Sequence, residues 1–276
     1  MRLLIIGGTR YAGKACIELL VAQGHDVTVV SRGNTPVPCA DDVRHVTCDR
    51  RVLTASLLPH REYDAVIDQV AFTAADARAI IPVLTGVAAR YVCTSSMSVY
   101  NAGADILEDA FDPSQHLFDV ESERTADYSE GKRQLEAVIA ATCPIPWITV
   151  RFSMIVSEDD PTGRLQWHRD RVRDRKPIYM PAPDARMSFI HALDAGRVLA
   201  HCCTADLHGP LNAASPLPIA VGDVVRGFAS RFGVEPVWAD EPTEENFSPY
   251  GIEEDWWMNT DELVGSGFRS AVSGVL

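Results

Sequence analysis

Four apolar residues, Leu3-Leu4-Ile5-Ile6, run straight into Gly7-Gly8-Thr9-Arg10-Tyr11-Ala12-Gly13, and apolar positions then recur at helical spacing through Ala15, Cys16, Leu19 and Leu20. A buried strand, a glycine turn and a helix in that order constrain the fold strongly. Gly7 permits the tight turn and Gly13 permits close helix-to-strand packing. Backbone N–H groups and the helix N-terminus are then free to face an anion such as a pyrophosphate.

Beyond that unit, short β-branched runs keep alternating with amphipathic stretches. The pattern predicts strands over Arg2–Ile6, Asp26–Val30, Arg44–Thr47, Ala65–Gln69, Arg90–Thr94 and Trp147–Arg151, with helices over Gly13–Gln23, Ala74–Thr85 and Tyr128–Thr142. Repeated βαβ units imply an α/β fold, a Rossmann-type doubly wound parallel sheet. Asn101–Asp127, acidic and built of small residues around Pro113, reads as a long surface loop. After Ser153 the alternation fades and prolines punctuate shorter elements. The expectation is a dinucleotide-binding domain over 1–152 and a small C-terminal substrate lobe over 153–276, with some segments returning to the Rossmann core.

A chain of 276 residues buries a sizeable core without disulfides. Its seven cysteines are scattered, with no C-x-x-C pair and no histidine at a metal-ligand spacing, so they read as buried thiols of a reducing compartment and no metal is expected. A formal net charge of −13 disfavours nucleic acid as a partner. The basic stretch Arg164–Lys176 carries interleaved aspartates and reads as a solvated helical face or a lip over an anionic ligand. The first strand begins at once, leaving no signal-peptide core, and no run reaches membrane-spanning length. A cytoplasmic protein with a small-molecule substrate is the expectation.

At the end of the second predicted strand, where an acidic residue would accept hydrogen bonds from NAD ribose hydroxyls, the chain has Ser31-Arg32-Gly33. A cation and a small hydroxyl there suit a 2′-phosphate, and Arg10 is placed to approach from the first turn. NADP(H) is favoured, and NAD(H) stays open. Tyr128 and Lys132 stand four apart on one helical face, so an ammonium adjoins a phenol and favours its ionised form. Upstream, Thr94-Ser95-Ser96-Met97-Ser98 places hydroxyls at the carboxyl end of a strand, where ligands of such sheets bind.

Together the glycine turn, Asp49 after the third strand, Ser95-Ser96-Met97-Ser98-Val99-Tyr100, Tyr128-x-x-x-Lys132, Arg151-Phe152-Ser153 and Phe189–Asp194 resemble the extended and atypical branches of the short-chain dehydrogenase/reductase superfamily, the NAD-dependent epimerase/dehydratase family. The resemblance implies that Ser96 hydrogen-bonds the reacting oxygen, Tyr128 donates or accepts the proton, and Lys132 binds the nicotinamide ribose and favours the phenolate. It further implies cofactor contacts from Thr9, Tyr11 and Ala12 in the turn, Asp49 and Arg50 near the adenine, and Val70 and Ala71 after the fourth strand. Relatives are often homodimers.

Two departures bear on function. Arg10 stands where extended members carry glycine, and Gly-Gly-Thr-Arg recurs in an atypical branch that includes reductases and plastid RNA-binding relatives. Met97-Ser98 replaces the Asp-Glu pair of sugar 4,6-dehydratases. The reading is an oxidoreductase interconverting a carbonyl and a secondary alcohol, with a nucleotide-sugar epimerase or a non-catalytic NADP(H)-binding module as alternatives. His191 and Asp194 read as packing residues, Glu158-Asp159-Asp160 as a turn, and Tyr250, Trp256 and Trp257 as either a pocket lining or a seal for the small lobe.

Overall fold

Successive residues of the first strand feed opposite cores. Leu3 and Ile5 pack with Val27, Val29, Ile67 and Val150 on one side, and Leu4 and Ile6 pack with Val30, Val66 and Tyr91 on the other. A strand buried on both faces needs helices on both faces, and the computed structural model, which describes residues 1–272, supplies them. The chain runs β1 (Arg2–Ile6), α1 (Tyr11–Ala22), β2 (Asp26–Ser31), β3 (Arg44–Thr47), β4 (Ala65–Asp68), α2 (Ala74–Leu84) and β5 (Tyr91–Ser96). It continues through β6 (Gly103–Ile106), α3 (Val120–Thr125), α4 (Tyr128–Thr142), β7 (Trp147–Phe152), β8 (Met154–Val156), α5 (Arg164–Arg173), β9 (Arg186–Met187) and β10 (Phe189–His191). It closes with α6 (Ala192–Cys202), β11 (Gly209–Ala213), β12 (Ile219–Ala220), α7 (Val221–Phe232), β13 (Trp256–Met258) and α8 (Asp261–Gly265).

The main sheet has seven strands in the order β11-β7-β5-β4-β1-β2-β3, all parallel. Strand order reverses between β1 and β4, which opens a crevice beyond their carboxyl ends. Helices α1 and α6 cover one face, and α2 and α4 pack together on the other. The remaining strands form a four-stranded sheet, β12-β9-β13-β6, which takes β6 from the first half of the chain, and a two-stranded one, β10-β8. No helix among the described residues is long and apolar enough to cross a membrane.

Asn101–Asp127 is not the plain loop expected from sequence. It carries β6, α3 and short 3-10 turns at Glu108–Ala110 and Pro113–Gln115. The stabilising partners are distant in sequence. β6 pairs with β13, and the buried Arg151 donates to the carbonyls of Glu108 and Phe111 at 2.7 and 2.9 Å. Local pattern carries no trace of either contact.

The basic Arg164–Lys176 stretch is α5 up to Arg173, and Arg169 and Arg173 pair with Asp170 and Asp174 at the surface. Tyr250 is buried and stacked on His168 with ring centroids 4.6 Å apart. His191 caps α6 through Nδ1, and Asp194 accepts from the Ala271 backbone, so both hold the structure together. Asp160 accepts from the backbone and hydroxyl of Thr162, closing the expected turn.

Candidate cofactor cleft and active site

A cleft of about 770 Å³ opens beyond β1 and β4, floored by the whole glycine turn from Gly7 to Gly13. Gly7 and Gly8 take φ of +83° and +74°, and α1 begins with Arg10 as its N-cap. Gly13 has no alternative: a Cβ there would stand 2.3 Å from the Gly8 Cα. Behind the turn, Gln69 Nε2 is buried without a hydrogen-bond partner and lies 2.5 Å from where a Gly8 Cβ would be. Close glycine packing and a helix N-terminus suit a pyrophosphate.

Tyr11 closes the turn that Arg10 leaves without its usual glycine. Its φ is +56°, a left-handed conformation costly for a bulky residue, and its hydroxyl donates to the carbonyl of Ile155. Burial, and secondarily the Asp160 carboxylate, push the Tyr11 hydroxyl's pKa well up, so it stays a donor. The start of α1 and the segment around β8 are thereby tied at the cleft, where Ile155, Pro161 and Thr162 form part of its wall.

At the far end, Ser31 and Arg32 line the cleft, with Ser31 Oγ 2.9 Å from His45 Nε2 and accepting from the Gly33 N–H. Arg10 Nε donates to Thr35 Oγ1 at 3.0 Å, which brings Arg10 to the end of β2. Arg51, not anticipated from sequence, lines the same end, its N–H held by Asp49 Oδ1 at 2.9 Å. Arg50 also borders the cleft, but its guanidinium turns inward to Asp68 at 2.6 Å and Asp76 at 2.8 Å. Its guanidinium braces the β4–α2 connection. Val70 lines the cleft, with its N–H held by Asp68 at 3.1 Å, whereas Ala71 is fully buried and presents only its carbonyl, to Lys132.

Tyr128 and Thr94 stand in the same wall. Asp127 caps α4 by accepting from the Glu130 N–H, which puts Tyr128 at the first position of the helix and more than half exposed. Lys132 lies one turn on, 1% exposed, with Nζ donating to the carbonyls of Ala71 and Thr94. Ser96 ends β5 and its Oγ accepts from the Ser98 N–H. Thr94 Oγ1 and Ser98 Oγ are buried without partners, leaving polar capacity at this strand end. Phe72 is a further cleft residue missed from sequence, although its place just after β4 was the available signal.

Glycine turn, reversal crevice and cleft are the features of a doubly wound nucleotide-binding fold. The chain belongs to the NAD dependent epimerase/dehydratase family, whose profile matches residues 3–213. Over 209 residues it is 27% identical to the chloroplast stem-loop binding protein of 41 kDa b of Arabidopsis thaliana, covering 68% of this chain and 50% of that one. Over 100 residues it is 35% identical to 2'-dehydrokanamycin reductase of Streptomyces kanamyceticus, covering 36% of this chain and 28% of that one. The chain thus matches half or less of the length of these curated relatives. Its fold is that of UDP-glucose 4-epimerase from Thermus thermophilus, solved with NAD, at a TM-score of 0.70 and 18% identity over 99% of this chain and 95% of that one. An NAD-dependent NDP-hexosamine 5,6-dehydratase of tunicamycin biosynthesis matches at 0.74 and 18% identity, over 99% and 93%.

Proposed function

We propose that the protein is an NADP(H)-dependent oxidoreductase that interconverts a carbonyl and a secondary alcohol on a small molecule. One observation carries the reading. A half-exposed Tyr128 lines the cofactor cleft one helical turn before a buried Lys132. Residues 1–152 form the nucleotide-binding half in this reading, and 153–276 supply most of the substrate lobe.

The residues present fit a dinucleotide. The glycine turn would hold the pyrophosphate, and Arg10, Arg32 and Arg51 would hold a 2′-phosphate through charge-assisted hydrogen bonds. When bound, the nicotinamide supplies or accepts hydride. In the reductive direction the Tyr128 hydroxyl gives its proton to the substrate oxygen while Ser96 Oγ orients it. The Lys132 ammonium stabilises the phenolate left behind and hydrogen-bonds the cofactor ribose.

A nucleotide-sugar epimerase is the second reading, supported by the fold shared with a UDP-glucose 4-epimerase. It would use the same residues without net consumption of cofactor. Fluorescence titration of the purified protein with NADPH and NADH tests the cofactor claim without a substrate, and tighter NADPH binding is expected. Two assays then separate the readings: stoichiometric NADPH oxidation with a carbonyl substrate supports the reductase, and inversion of a nucleotide-sugar alcohol with the oxidised cofactor, without net cofactor reduction, supports the epimerase.

A further inference from the structure

The Lys132 side chain is almost wholly buried. Nζ donates to the carbonyls of Ala71 at 2.7 Å and Thr94 at 2.8 Å, which uses two of its three protons. Its remaining side meets two aromatic rings, with centroids 4.8 Å away for Phe72 and 5.9 Å for Tyr128. Those rings, themselves 6.5 Å apart and tilted by 50°, are 47% and 55% exposed, whereas Lys132 is 1% exposed. Two half-exposed rings therefore flank a nearly buried cation.

Tyr128 carries a hydroxyl to present to a ligand, but Phe72 has no polar atom, and its half-wet ring belongs to none of the apolar cores. Its place is nevertheless fixed. The Phe72 N–H donates to Asp76 at 2.9 Å, and Asp76 is gripped in turn by Arg50. The Phe72 carbonyl lies 3.0 Å from where a Cβ on Gly131 would stand, so the residue just before Lys132 is small where α4 meets this loop. A ring held over a desolvated ammonium attracts it through the negative face of its π-system.

We propose that Phe72 is a positioning residue of the active site. Its ring holds the Lys132 ammonium dry against the Ala71 and Thr94 carbonyls, so that the third proton is directed between the two rings toward cofactor and substrate. The inference rests on the reading of Tyr128 and Lys132 as the working pair.

The chain has only three lysines, Lys14, Lys132 and Lys176, so acylation with acetic anhydride followed by peptide mass spectrometry reports each side chain separately. In the unaltered protein Lys132 is expected to be protected relative to Lys14 and Lys176, which are exposed. Phe72→Ala should raise Lys132 labelling at least about tenfold while Lys14 and Lys176 stay unchanged, and Phe72→Trp, which keeps an aromatic face, should restore protection. Phe72→Leu fills the space without a π-face, should label at an intermediate rate, and gives the answer if the alanine variant does not fold. Unchanged Lys132 labelling in the alanine variant, or full protection in the leucine variant, overturns the proposal. Lys132→Met keeps the two failures apart: undiminished NADPH affinity there sinks the working pair itself, whatever the labelling of the Phe72 variants.

Discussion

The Arg151 guanidinium clasps the Glu136 carboxylate, Nη2 to Oε2 at 2.6 Å and Nε to both oxygens at 3.1 Å, with neither side chain exposed to solvent. Glu136 sits on the same helix as Tyr128 and Lys132, and Arg151 also reaches the Tyr100 hydroxyl and the carbonyls of Glu108 and Phe111. One ion pair thus joins α4, β7 and the segment around β6. Removing one partner leaves a buried charge alone, so Glu136→Ala should cost about 3–5 kcal/mol in urea unfolding. A loss below about 1 kcal/mol, the range of an exposed pair, would mean that water reaches Arg151.

Tyr128→Phe removes the proposed proton donor and little else, because its ring stays in contact with Phe72. Turnover should fall about 10²–10⁴-fold while NADPH affinity is retained. Undiminished turnover would assign the proton to another group.

Arg32→Asp places an anion where the 2′-phosphate is proposed to lie. The ratio of NADPH to NADH affinity should fall at least about tenfold, the scale of one charge-assisted hydrogen bond. If the ratio holds, Arg51→Ala is the next variant to titrate, since Arg51 lines the same end of the cleft.

Gly13→Ala should abolish binding of both cofactors, because the added carbon cannot clear the Gly8 Cα at 2.3 Å without opening the turn. Retained affinity in the same fluorescence titration would show that the turn relaxes freely.

His168 is buried between the Arg164 carbonyl and the Ser248 hydroxyl, and burial pushes its pKa down to about 4. In the unfolded chain it titrates near 6.5, so at lower pH the unfolded state binds the extra proton and is favoured. Its contribution is fully present above about pH 6.5 and is lost, by up to about 3 kcal/mol, as pH falls to about 4. The stability difference between the protein and its His168→Asn variant, measured by urea unfolding at pH 7, 5 and 4, should narrow across that window. A constant difference would show that His168 is protonated inside the fold.

The main sheet was legible because its strands are buried on both faces and its helices are amphipathic, so both periods stand in the sequence. The glycine turn was legible because only glycine tolerates the Gly8–Gly13 contact. What stayed hidden depends on distant partners. Nothing near Gly103 announces that it will pair with Trp256. Nothing near Arg50 shows that Asp68 and Asp76 will claim its guanidinium, while Arg51 beside it faces the cleft. Pro161 and Thr162 reach the cleft only because the path after β8 returns across it.

The edge strand β11 is made well after its neighbour β7, with the segment from Ser153 to His208 translated in between. Until Gly209–Ala213 leave the ribosome, β7 keeps one row of backbone donors and acceptors unpaired, beside the apolar side chains of Ile148, Val150 and Phe152. At about 5–20 residues per second that interval lasts several seconds. Production of this protein should therefore depend on how well the nascent chain is shielded at that edge, and truncation before residue 209 should leave a sticky strand rather than a free nucleotide-binding domain.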